Sequence, residues 1–139
     1  MKKMMIFSGC FILVLASMVF MSYGEMQKIA ISVANLPDLK GNWTGSRRAG
    51  PGPHLNTDLE ISNDSLPVQG KLIFYAVGRR GTTETVDFTG GRVNDQGNFL
   101  ITGSQIEVEL SLYKDDGKMK LEGNFAWRGD KGTMSLKKR

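Results

Sequence analysis

A chain of 139 residues has room for one domain and one hydrophobic core. Its single cysteine, Cys10, stands near the N-terminus, so the rest of the chain has no disulfide, no thiolate nucleophile and no cysteine-based metal site. A formal charge of +4, from 18 basic and 14 acidic residues, is too small to argue for nucleic acid by bulk electrostatics.

Lys2 and Lys3 precede an apolar run from Met4 to Met21 that ends in Ser22-Tyr23-Gly24. A charged start, an apolar centre and small residues three and one before Glu25 predict an export signal peptide over 1–24, of bacterial type, with a periplasmic or secreted product. The run is just long enough to cross a bilayer, so an uncleaved anchor is the alternative. Cys10 precedes most of the apolar stretch, so it reads as a signal residue and not as an acylation site. Membrane contact is expected only through this segment. Cleavage leaves 115 residues with 16 basic and 14 acidic groups. Residues 25–38, which include Ile29-Ala30-Ile31-Ser32-Val33, form an N-terminal extension readable as a ninth strand, a plug or a tether. The main domain is expected over 39–139.

From Leu39 onward apolar residues alternate with polar ones, and Gly, Asn, Asp or Pro stands at each interruption. The pattern predicts strands near 39–45, 55–62, 70–78, 84–93, 98–103, 105–113, 118–127 and 132–138. Gly90-Gly91 reads as a bulge or barrel corner, because Asn94-Asp95-Gln96-Gly97 supplies the better turn. In 105–113, Ile106, Val108, Leu110 and Leu112 share one face. With Asp116-Gly117 as a two-residue turn, they oppose Trp127, Phe125, Gly123 and Leu121. Continuing through Arg128–Gly132 puts Trp127 opposite Met134 and Phe125 opposite Leu136. Eight short antiparallel strands predict an all-β fold, an up-and-down barrel whose closure removes exposed edges; a β-sandwich is the alternative. The expected lining includes Trp43, Leu59, Ile61, Leu72, Phe74, Val86, Phe88, Phe99, Ile101, Leu110, Leu121 and Phe125. Eight strands enclose space for side chains or one small ligand, and a filled core is the default.

The segment Leu39-Lys40-Gly41-Asn42-Trp43-Thr44-Gly45 resembles the Gly-x-Trp entry to the first strand of the lipocalin, fatty-acid-binding and avidin group of barrels. The resemblance implies that Gly41 and Trp43 close one end of the barrel, with Lys137, Lys138 or Arg139 over the indole. The chain stops just after the eighth strand, which leaves no room for a lipocalin's C-terminal helix, and the Thr-Asp-Tyr signature is absent. The spacing from Gly41-x-Trp43 to Leu59-x-Ile61 to Gly70-x-Leu72 is closer to the avidins. Biotin binding does not follow, because that pocket uses several tryptophans and only Trp43 and Trp127 exist here.

In a meander, alternate turns share an end. Segments 46–54, 78–83, 103–104 and 128–132 then gather Arg47, Arg48, Arg79, Arg80, Arg128 and Lys131 against Asp130 alone. An arginine-rimmed mouth, with Trp127 and Ile106 just inside, suits an anionic, partly apolar small molecule. It equally suits an acidic surface on an exported protein, as in a hydrolase inhibitor or an envelope assembly factor with a filled core. Ser46–Asn56, with Gly50-Pro51-Gly52-Pro53, is the natural lid. The outward face of Ile73, Tyr75 and Val77 is a second candidate surface, for a partner or a dimer.

Catalysis lacks its parts. His54 is the only histidine and sits beside a Gly-Pro loop without a serine nucleophile context, and no zinc ligand set exists. Glu107 and Glu109 are expected to pair with Lys118 and Lys120 across strands. Asp115-Asp116 and Arg128-Gly129-Asp130 are turn chemistry. No enzyme activity, cofactor, metal or nucleic-acid partner is expected.

Overall fold

The computed structural model describes residues 26–139; the expected signal peptide lies outside the described residues. The eight strands of the barrel begin and end close to the alternating segments: β2 (Gly41–Ala49), β3 (His54–Ile61), β4 (Val68–Val77), β5 (Thr82–Val93), β6 (Phe99–Thr102), β7 (Ile106–Asp115), β8 (Lys118–Trp127) and β9 (Asp130–Lys138). A short β1 (Gln27–Ile29) precedes them. Each strand from β2 pairs antiparallel with the next, and β9 returns to β2 from Trp43↔Lys138 to Ala49↔Gly132. The sheet is therefore a closed eight-stranded barrel and not a sandwich.

The β7–β8 register is the expected one, with Ile106 opposite Trp127 and Leu112 opposite Leu121. Asp116 (φ 45°) and Gly117 (φ 80°) both take the left-handed conformation that a tight primed hairpin turn needs. The β8–β9 register differs from expectation. Arg128 (φ 51°) and Gly129 (φ 87°) form a second two-residue turn, so β9 starts at Asp130 and Phe125 meets Gly132. The shift is an even number of residues, so the same side chains still point inward.

The predicted lid is also shorter than expected. Ladder pairs continue from Ser46↔Asn56 to Arg48↔His54, leaving residues 50–53 as the connection. Gly-Pro composition read as a long loop, whereas the strand parity running from Trp43 through Gly45 to Arg47 continues into it. Gly90-Gly91 does sit at a bulge, since the two residues between Phe88 and Gly91 face the single residue between Val68 and Gly70. A second irregularity, at Tyr75-Ala76, carries Ala76 at φ 56° and turns Val77 onto the core. The outward trio is thereby reduced to Ile73 and Tyr75.

Inward positions are filled. Trp43, Leu59, Leu72, Phe74, Phe99, Ile101, Leu110, Leu121 and Leu136 each have 0% of their surface accessible. A ligand-sized void would expose some of these walls to a water-sized sphere, so the interior is packed by side chains. Each of these large side chains contributes about 1.5–3 kcal/mol by burial. Of the expected lining only Val86 is half-buried; the rest are buried, Ile61, Phe88 and Phe125 with a few per cent of their surface accessible.

The N-terminal segment closes one end. β1 pairs with β7 from Gln27↔Lys114 to Ile29↔Leu112, and the Ile31 amide donates to the Gly97 carbonyl at 2.8 Å. A 3-10 turn (Val33–Asn35) and α1 (Leu36–Leu39) then cross the opening, burying Ile31, Leu36 and Leu39 in the common core. Residues 27–39 thus supply both an added strand and a plug. Among the described residues no helix is long and apolar enough to cross a membrane.

Tight curvature depends on inward glycines. A β-carbon on Gly123 would lie 1.8 Å from the Glu109 carbonyl oxygen, and one on Gly45 would lie 1.9 Å from that of Ser135. These are barrel corners, where neighbouring backbones approach too closely for a side chain. Gly123→Ala is expected to cost about 1–3 kcal/mol or more in urea unfolding. Gly90→Ala, whose β-carbon meets nothing within 4 Å, stays within about 0.5 kcal/mol of the parent.

Candidate functional site

The mouth opposite the plug is formed by the β2–β3, β4–β5, β6–β7 and β8–β9 connections. Aromatic residues close it. Trp127 stacks on Phe74 with ring centroids 4.2 Å apart and planes 16° from parallel. The Arg128 guanidinium lies 4.6 Å from the Trp127 ring centre, and that of Arg47 lies 5.1 Å from the Phe74 ring centre. A guanidinium thus stands over each ring of the stack, an arrangement that attracts through the ring quadrupoles.

Arg47, expected on the rim, is instead a core residue with 5% of its surface accessible. Its Nη1 donates to the Asn56 carbonyl at 2.7 Å and to Thr57 Oγ1 at 2.9 Å, while Nη2 donates to the Tyr75 carbonyl at 2.7 Å. Burial lowers its pKa and the charge of Asp130 raises it, but a guanidinium stays protonated throughout. Its donors tie β3 to the irregular part of β4, where strand pairing is interrupted. Its rigid fork can satisfy several acceptors at once, which a lysine ammonium does less well.

Arg128 is exposed but engaged, with Nη1 2.7 Å from Glu84 Oε2. Arg48 is exposed and donates to the Gly52 carbonyl at 2.8 Å, holding the short β2–β3 connection. Arg79 and Arg80 lie exposed in the Gly78–Gly81 turn, and Lys131 is exposed on β9. The mouth therefore keeps a basic rim built chiefly of Arg79, Arg80 and Lys131. A cleft of about 110 Å³ beside Arg47, Val77 and Trp127 is what remains open at its centre.

Beside the mouth the barrel wall is incompletely zipped. β5 meets β6 only through Arg92↔Leu100 and Val93↔Phe99, so its stretch from Thr82 to Gly91 has no strand partner on that side. A cleft of about 240 Å³ follows this gap, between Val86 and Phe88 on one wall and Ile106, Trp127 and Arg128 on the other.

The second candidate surface is more polar than its sequence implies. Ile73 and Tyr75 are half-buried on the outside, and the Tyr75 hydroxyl donates to Asp58 Oδ2 at 2.9 Å. Asp58 also accepts from Thr44 at 2.7 Å and lies 3.4 Å from Arg139. The hydrogen bond to the Asp58 carboxylate, followed by desolvation, raises the Tyr75 pKa above 10.0. Glu107 and Glu109 do not pair with Lys118 and Lys120, because the register leaves them in different rows. Glu109 instead accepts from Asn98 at 2.7 Å and Asn94 at 3.3 Å. His54 opens β3, opposite Arg48 and exposed.

At the plugged end, Trp43 is fully buried and its indole N–H donates to the Leu39 carbonyl at 2.8 Å. Lys138 Nζ lies 5.7 Å from the ring centre, making it the cation over the indole. Lys138 also donates to the Asp38 carbonyl, and Lys114 holds the Asp38 carboxylate at 2.6 Å.

A closed antiparallel eight-stranded barrel with this tryptophan at its entry strand defines a class of fold compatible with the calycin type. No protein-family model matches the chain, and no curated protein or solved structure matches it significantly.

Arg47→Leu is expected to cost about 2–4 kcal/mol in urea unfolding, because two carbonyls and the Thr57 hydroxyl lose their donors inside the barrel. Arg47→Lys recovers less than half of that loss in the same measurement.

Proposed function

We propose that this chain is an exported, non-catalytic binding module that recognises another protein with its outer surface at the mouth end. The filled interior carries the reading: the walls that would line a carrier's cavity have no accessible surface. The clefts beside Trp127 hold about 110 and 240 Å³, below the ~300–1,000 Å³ of small-molecule sites, and the wider groove of about 680 Å³ that runs from Lys131 past Glu107 and Asn124 is lined chiefly by polar residues of the barrel's outer wall. Arg128, the natural headgroup clamp, is occupied by Glu84.

Support for a protein partner comes from two neighbouring features. Arg79 and Arg80 project from the turn that leads into β5, and the adjoining β5 edge offers unpaired backbone groups. A partner with an acidic surface and an extended segment answers both, by charge attraction and strand addition.

Native mass spectrometry of the protein taken from its host's exported fraction tests this. The expected result is a complex with a second protein, weakened at least tenfold by Arg79→Glu with Arg80→Glu, an exposed pair whose loss leaves the fold intact. A bound mass of a few hundred daltons that survives this change would overturn the reading in favour of a carrier.

A further inference from the structure

A second concentration of positive charge lies at the plugged end, on the outside of four neighbouring strands. Lys28 of β1 is opposite Tyr113 of β7, Tyr113 is opposite Lys120 of β8, and Lys120 is opposite Lys137 of β9. These residues share the outward parity, so one row across the sheet reads Lys, Tyr, Lys, Lys. Lys118 stands two residues earlier, at the start of β8, opposite Asp115. A cleft of about 610 Å³ gathers Lys118, Lys120, Lys137, Lys138 and Arg139 around Met26, with Asp115 as the carboxylate in its lining.

Internal partners account for only part of this charge. Lys120 reaches Glu122 at 2.9 Å, Arg139 reaches Asp58 at 3.4 Å, and Lys138 is committed to Trp43 and Asp38. Among the described residues, Lys28, Lys118 and Lys137 have no carboxylate within 4.0 Å. Like charges placed directly opposite on a sheet destabilise it, and Lys120 faces Lys137 across about 5 Å. An external layer of anions would offset that repulsion.

The shape of the array selects the anion. Lysines are point charges on flexible stems, without the fork that clamps a single phosphate, and here they spread over the breadth of four strands. Such an array matches many anions in a plane. Met26 also lines this cleft, and in the sequence it stands five residues after the apolar run that ends at Met21. Basic residues beside an apolar segment are drawn to anionic leaflets. We propose that the face bearing Lys28, Lys118, Lys120 and Lys137 rests on a bilayer surface that carries anionic phospholipid headgroups. Membrane contact then extends beyond the leading segment, and the rim of Arg79 and Arg80 points away from the bilayer. This inference is independent of the protein partner proposed for the mouth.

Amine-reactive labelling of the full-length chain, read lysine by lysine, tests it on phosphatidylcholine vesicles with and without phosphatidylglycerol. Lys28, Lys118, Lys120 and Lys137 are expected to label several-fold less on the anionic vesicles, while Lys71 and Lys131 label equally on both. Raising the salt to ~1 M, where the Debye length falls to about 3 Å, restores labelling. Equal labelling of the four lysines on the two vesicle types overturns the proposal, as does equal protection of Lys131 and Lys71. Protection by millimolar inorganic phosphate on neutral vesicles overturns it too, by identifying a small-anion site.

Discussion

The ladder between β2 and β9 is the constraint from which the other features follow, because it joins the first strand of the meander to the last from Trp43↔Lys138 to Ala49↔Gly132. Closing eight strands fixes the circumference, and that circumference leaves an interior just wide enough for side chains. Closure at this size demands strong coiling, which brings backbones together at Gly45 and Gly123. It also brings Lys138 over Trp43, so that the cation of the last strand covers the indole of the first. The plug of Ile31, Leu36 and Leu39 is the complement, covering an opening that the ring of strands leaves at that end.

The two ends solve the problem of an open barrel differently. At the plugged end the chain's own N-terminal segment lies across the opening, and Asp38 is tied to β7 by Lys114 and to β9 by Lys138. At the mouth no such segment exists among the described residues, and large side chains do the sealing. A buried guanidinium is an expensive filler in a core, since a charge removed from water must find partners. Arg47 finds three oxygen acceptors and an aromatic face. It converts a place where β4 departs from regular pairing into a cross-linked one, so the mouth is closed rigidly.

Alternation made the barrel legible in the sequence. Period-2 patterning located all eight barrel strands, and Asp116-Gly117 gave the β7–β8 register because a two-residue turn has no freedom to slip. The Gly41-x-Trp43 entry singled out a tryptophan that is fully buried, and of the three candidate cations Lys138 is the one over its ring. What the sequence concealed was set by backbone irregularity. The Tyr75-Ala76 bulge reverses the parity of Val77, and nothing in the identity of Ala76 announces a positive φ. Arg128-Gly129 is a sufficient turn by itself, yet the charged, glycine-containing stretch through Gly132 reads as a longer loop. Arg47 was hidden because charged residues are ordinarily assigned outside, although its parity with Trp43 and Gly45 points inward. The lysine row is invisible along the chain, since Lys28, Lys120 and Lys137 become neighbours only when four strands are aligned.

The order of the strands has a consequence in time. β2 is made before the other strands of the barrel, but its second neighbour, β9, is the last of the eight, and β1 waits for β7. Neither the β2–β9 nor the β1–β7 ladder can form before the strands between them are made, so the barrel closes late, after its consecutive hairpins. Topologies governed by such distant pairings fold slowly, on the scale of milliseconds to seconds. Until then the outer edge of β2 is an unpaired template, and the nascent chain depends on finishing before another strand finds it.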